Sequence, residues 1–192
     1  MTPMMTKFLV AAAVWLLAAI APAAAQGDFH IGEVGGNQIP LQIPQTVTAG
    51  SAYASGNAVG GLMTLAGAAR ALGTYAGAPA TSGLLQSVFV NSKSLQTTQM
   101  DLVLFNANPT TTTCTDKTAI AVSAADFDKV RGVVHITDWT SLGTPSIGQA
   151  LNLAMPYALI NITTMFACLV TRATPTFTAA TDISVGFGLL RN

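Results

Sequence analysis

Asp182-Ile-Ser-Val-Gly-Phe-Gly-Leu-Leu190 alternates large apolar and small residues with a period of two. Val185, Phe187 and Leu189 fall on one face and Gly186 and Gly188 on the other, the pattern of a strand with one buried side. Two further runs of strand length lie upstream. Leu84 to Asn91 reads LLQSVFVN and Met100 to Asn106 reads MDLVLFN. The polar stretch Ser92 to Gln99 between them suits a turn or loop. A fourth run, Leu159 to Arg172, is apolar around Phe166 and Leu169 and is long enough for a buried central strand that Pro175 ends.

The segments between these runs are turns and one short helix. Asn108-Pro109 followed by four threonines marks a loop. Ser123-Ala-Ala-Asp126 has the spacing of a capping box with Asp in place of Glu. It predicts one or two helical turns through Phe127, Val130 and Arg131, stopped by Gly132. Val133 to Trp139 (VVHITDW) then returns to strand, and Gly143-Thr144-Pro145 is a break. Tyr53 to Tyr75 carries Gly60-Gly61 in its middle and reads as a strand ending near Leu65, followed by a Gly- and Ala-rich connection to Ala80. No helix of crossover length separates successive strands, so a parallel α/β sheet is excluded. The expected domain, residues 53–192, is mainly β: an antiparallel, jelly-roll-like sandwich with one short helix.

Ahead of that domain stand two different segments. Lys7 is the only charge before Asp28, and Phe8 to Ile20 is an apolar run of thirteen residues. Pro22 and then Ala23-Ala24-Ala25-Gln26 follow, so residues 1–25 read as a secretory signal peptide cleaved between Ala25 and Gln26. The run is shorter than the ~20 residues that span a bilayer, so no stable membrane anchor is expected after cleavage. Residues 26–52 carry Gly35-Gly36, Pro40 and Pro44, with Ile39, Leu41 and Ile43 at alternate positions. This is an extended arm with one apolar edge, able to dock on its own domain or on a neighbour.

Composition narrows the function. Of 192 residues only 8% are charged and 51% are hydrophobic, and the formal net charge is zero. No electrostatic attraction to nucleic acid is expected. There is no Gly-x-Ser-x-Gly, His-Glu-x-x-His or Cys-x-x-Cys, and Gly56-x-x-x-Gly60-Gly61 lacks the Gly-Lys-Ser/Thr of a phosphate loop. His30 lies in the arm. His135, between Val134 and Ile136, reads as a strand-face histidine. Asp126 and Asp128, with Asp116 and Asp138 as candidate companions, fall short of the six to eight oxygens of a calcium site. Asp126 is better explained by its place in the first turn of the short helix. The sequon Asn161-Ile162-Thr163 sits in an apolar strand. No cofactor, metal site or catalytic set is therefore expected. Cys114 and Cys168 form an even pair, and in an exported protein they are expected to bridge, the alternative being two small buried residues.

From Tyr53 onward the chain resembles a family of small structural proteins of tailed phages and prophages, the capsid decoration-like proteins. The likeness is carried by Tyr53-Ala-Ser-Gly-Asn-Ala-Val-Gly-Gly-Leu62, Ser82-Gly-Leu-Leu-Gln-Ser-Val88, Asp101-Leu-Val-Leu-Phe-Asn-Ala-Asn-Pro109, Ala125-Asp126, Arg172-Ala-Thr-Pro-Thr-Phe177 and Asp182–Leu190. The resemblance implies a sandwich-like domain packing on a particle surface or on copies of itself, with no enzymatic role and a place in a virion. An export signal and a cysteine pair instead imply an envelope or extracellular setting.

Three functions follow as expectations. The first is a non-catalytic structural or assembly protein that forms homo-oligomers or docks on a particle. The second is a periplasmic or secreted binding module for a small molecule or glycan, with Trp139, Tyr157, Tyr53 and Tyr75 as the available rings. The third, a hydrolase using His135 with a serine or aspartate, has no motif behind it.

Overall fold

The structure is a computed structural model that describes residues 37–68, 82–159 and 164–191. Ten strands form two antiparallel sheets: β1 (Asn37–Gln45), β2 (Met63–Leu65), β3 (Ser82–Ser92), β4 (Met100–Phe105), β5 (Val130–Ile136), β6 (Asp138–Ser141), β7 (Ser146–Ala150), β8 (Met155–Ala158), β9 (Met165–Thr171) and β10 (Ile183–Arg191). Among the described residues the one helix, α1, is Ala124–Phe127. Sheet one runs β1-β10-β3-β7-β6, with β8 also on β3, and sheet two runs β2-β9-β4-β5. The protein is a mainly-β sandwich, and among the described residues no helix is long and apolar enough to cross a membrane.

The period-two readings explain the core. Val185, Phe187 and Leu189 of β10 point inward with Leu85, Val88 and Val90 of β3. They meet Met100, Leu102 and Leu104 of β4 and Ala167 and Leu169 of β9 from the other sheet. Burying a side chain of this size contributes about 1.5–3 kcal/mol, so the inter-sheet layer is the main source of stability.

Strand β3 keeps its apolar side inward only because it carries a bulge. Leu85 and Val88 both face the core, three residues apart, because the pairing with β10 shifts between Gly188 and Leu189. The spare carbonyl of Gln86 is taken by the Leu153 amide at 3.0 Å. That bond lies where β3 changes partner, from β8 at residues 82–85 to β7 at residues 88–92.

The described part of the expected arm is β1, which pairs with β10 along its whole length, from Asn37–Arg191 to Gln45–Ile183. Leu41 and Ile43 pack on the core. Pro40 and Pro44 are compatible with a strand here because, among the described residues, β1 is an edge with a partner on one side only.

Two readings from the sequence are corrected. Helix α1 is one turn and does not extend through Val130 and Arg131, which already belong to β5 together with Gly132. The Lys129 amide bonds Asp126 and its carbonyl accepts from Asn106, and this pulls the chain into pairing with β4. Val133 to Trp139 is likewise not one strand. It breaks at Thr137, with β5 on the edge of sheet two and β6 on the edge of sheet one, so this segment turns the corner of the sandwich.

Candidate functional site

The outer faces of the two sheets differ. That of sheet two is covered. Val103 and Phe105 of β4 and Cys168 and Val170 of β9 form a second small core with Ala58. Cys114, Ile120 and Val122, from the long β4–β5 connection, pack on it. Cys114 and Cys168 are joined by a disulfide with Cα atoms 6.1 Å apart, as expected for the pair. This bridge is compatible with an oxidising, exported location.

Buried and half-buried aspartates hold the loops. Asp116 accepts from the Thr48 amide and hydroxyl at 2.7 Å, the Gly60 amide at 2.7 Å and the Tyr53 hydroxyl at 2.7 Å. Burial alone would raise its pKa, but these hydrogen bonds outweigh it and hold the carboxyl below its ordinary value. Tyr53 is buried against Phe177, ring centroids 5.1 Å apart, and burial followed by the Asp116 bond pushes its phenol well above the usual range. Asp126 accepts from Lys129 Nζ at 2.7 Å, the Thr111 amide at 2.8 Å and the hydroxyls of Thr111 and Thr112. The Lys129 contact is the chief reason its pKa falls far below the carboxylate norm. Asp182 accepts from the Thr178 amide at 2.6 Å and the Ala179 amide at 3.0 Å, and these bonds overcome its burial to depress its pKa. Asp126 is thus placed less by the dipole of one helical turn than by the threonine loop it anchors.

The four acidic residues weighed as metal ligands are not brought together. Asp116 and Asp126 bind different loops, and Asp138 accepts from Gln149 Nε2 at 2.8 Å. Among the described residues no three of His, Cys, Asp and Glu converge to hold a metal ion.

His135 does stand on a strand face, opposite Asp101 in the β4–β5 register. Its Nδ1 lies 2.8 Å from Asp101 Oδ1, and Arg172 Nε donates to Asp101 Oδ2 at 2.6 Å. Asp101 is buried, whereas the His135 side chain is 65% exposed. Burial raises the Asp101 pKa, but the bonds from His135 and Arg172 more than reverse this. Among the described residues no serine hydroxyl bonds the imidazole. Asp101 was missed in the sequence; the available signal was a lone carboxylate inside the apolar run MDLVLF.

Among the described residues nothing covers the outer face of sheet one, and there lies a groove of about 550 Å³. Gly186 and Gly188 form its floor. One wall is Gln38, Pro40 and Gln42 from β1; the other is Ser87, Phe89 and Asn91 from β3, with Ile147 beyond. The register explains the grouping: Gly186 pairs with Gln42 and Phe89, and Gly188 pairs with Pro40 and Ser87. A Cβ at Gly186 would sit 3.6 Å from Phe89 Cβ and 3.8 Å from Phe89 Cδ2, so the ring borders an empty place in the sheet.

No family model and no curated protein matches this chain. Of the rings named from sequence, the three that are described are not open platforms. Tyr53 and Tyr157 are buried, and Trp139 lies against Gly148, its ring filling the space of an absent Cβ. Phe89 is the half-buried aromatic that borders the groove. His30, Tyr75, Ala25, Gln26 and the Asn161 sequon lie outside the described residues.

Proposed function

We propose that the protein is an exported, non-catalytic structural module that acts by self-association or by docking on a particle surface, as in the phage decoration-like proteins it resembles. What chiefly supports this is the use made of its polar side chains. Asp126 and Asp182 are saturated by amides and hydroxyls of their own loops, Asp116 ties its loop to the β1–β2 connection, and a disulfide fixes one loop to sheet two. Charge and hydrogen bonding are invested in a stiff body.

The tips of that body carry apolar side chains. Phe127 is 68% exposed, Leu142 61% and Leu151 48%. Apolar area hidden at a contact contributes about 25 cal/mol per Å², and only 8% of the chain's residues are charged. In this reading residues 1–25 direct export, the chain starts at Gln26, and a virion or an envelope is the surface on which it packs.

Size-exclusion chromatography with light scattering on the protein beginning at Gln26 tests the reading. A mass above the monomer, or co-elution with an intact particle, is expected, and Phe127→Ser with Leu142→Ser should reduce it. A strict monomer at every concentration that binds no particle overturns it. Mass spectrometry of the secreted chain checks the N-terminus at Gln26.

A further inference from the structure

We infer that the groove on the outer face of sheet one is a binding site for a neutral glycan. The inference is independent of the assembly role and rests on the chemistry of the groove.

The first argument is charge. Among the described residues no ionisable side chain lines the groove. A charged ligand would surrender hydration there without gaining a counter-charge, a loss that a neutral ligand avoids. Nucleotides, phosphorylated lipids and acidic polymers are poor fits on this ground.

The second argument is hydrogen bonding. Among the described residues the side chains of Gln38 and Asn91 have no protein partner, although each amide can donate and accept. Gln42 is held at its Nε2 by Ser184 Oγ, 3.1 Å away, and its carbonyl oxygen remains available. Hydroxyl groups also donate and accept, so a polyol satisfies these mixed amides in either orientation.

The third argument is shape. The two floor glycines expose backbone where a side chain would otherwise stand, and Ser87 Oγ leans into the space over Gly188. Beside the floor Phe89 offers an apolar surface against which the C–H side of a sugar ring packs, while Pro40 and Ile147 close the apolar margins. The volume lies within the range of ~300–1,000 Å³ usual for ligand sites and suits a short oligosaccharide better than a protein segment.

Gly186 gives a clean way to close the site. Its φ is not in the left-handed region, and a Cβ there makes only ordinary contacts, so Gly186→Val fills the floor without forcing the strand. The test is isothermal titration of the full secreted chain with neutral glucan, xylan, mannan and chitin oligosaccharides, with oligogalacturonate as the charged control.

At least one neutral oligosaccharide is expected to bind and the charged one not to. Phe89→Ala should weaken that binding about tenfold, a loss of the size expected for one ring contact. Gly186→Val should abolish it while thermal unfolding stays unchanged. Gln38→Ala with Asn91→Ala serves as a second variant pair should Gly186→Val lower stability, and it too should lose the ligand. The inference is overturned if no neutral glycan binds, if oligogalacturonate binds as well, or if binding survives both Gly186→Val and the amide pair. It is equally overturned if the face buries a second copy, seen as a dimer that Gly186→Val dissociates. A strict monomer that binds glycan and no particle leaves this inference standing while removing the assembly role.

Discussion

The two outer faces of the sandwich are built from the same kind of strand and end in opposite states. On sheet two Val103, Phe105, Cys168 and Val170 are apolar on the outside as well as the inside, so the strands need a cover, and the β4–β5 connection supplies it. On sheet one the outward positions are Gln42, Gly186, Ser87 and Asn91, which need none. An antiparallel sheet tolerates water on one face when its alternation is clean, and continuous apolar runs appear where both faces are covered. The length of an apolar run in this chain therefore marks how many layers lie over it.

That contrast can be broken most strongly at the bridge. Replacing Cys114 and Cys168 by Ala removes a cross-link that spans 54 residues of sequence. It should lower stability by about 4 kcal/mol in the chain-entropy account, read as a fall in the urea midpoint. A control double variant on sheet one, Ser87→Ala with Asn91→Ala, should leave the midpoint nearly unchanged. Equal losses from the two would mean that the covered face gives no extra stability.

Acid should expose the same asymmetry more gently. Asp101, Asp116, Asp126 and Asp182 all have depressed pKa values in the folded protein. The unfolded chain binds protons first as pH falls, so their stabilisation is complete above the ordinary aspartate value and drains away below it. The urea midpoint should be flat from pH 7 to 5 and decline below about pH 4. Protection of the Thr111 amide, whose N–H depends on the Asp126 carboxylate, should be lost last, because that carboxyl is held furthest below its ordinary value. A midpoint that rises on acidification contradicts these assignments.

The smallest effect is expected at Phe89. Its ring borders the open groove, not the inter-sheet layer, so Phe89→Ala should change stability by no more than about 0.5 kcal/mol by thermal unfolding. A loss as large as that of a core phenylalanine, about 3–5 kcal/mol, would place the ring inside a packed layer.

How much of this was legible in the sequence depended on apolar contrast. DISVGFGLL, LLQSVFVN and MDLVLFN were readable because large side chains recur at the period of a strand. β6, β7 and β8 carry Asp138, Ser146, Gln149 and Pro156, short segments whose identity comes from pairing with β3 and with each other. The split at Thr137 was invisible for a related reason, since nothing in VVHITDW distinguishes a strand that continues from one that changes sheets. Alternation in the arm showed a half-buried strand, but which edge receives it is a tertiary fact. The cysteine pair was legible through parity alone. The groove was not, because it is made of residues from four strands whose neighbours are set by register, and its floor consists of side chains that are absent.

The missing amide hydrogens at Pro40 and Pro44 reach beyond the single molecule. A foreign strand laid along the rim of β1 would meet carbonyls at those two positions with no donor beside them, so edge-to-edge growth into fibres is interrupted there. Crowding many copies together, as on a shell or in an envelope, then favours contacts through flat sides and loop ends and spares the protein from templating its own precipitation.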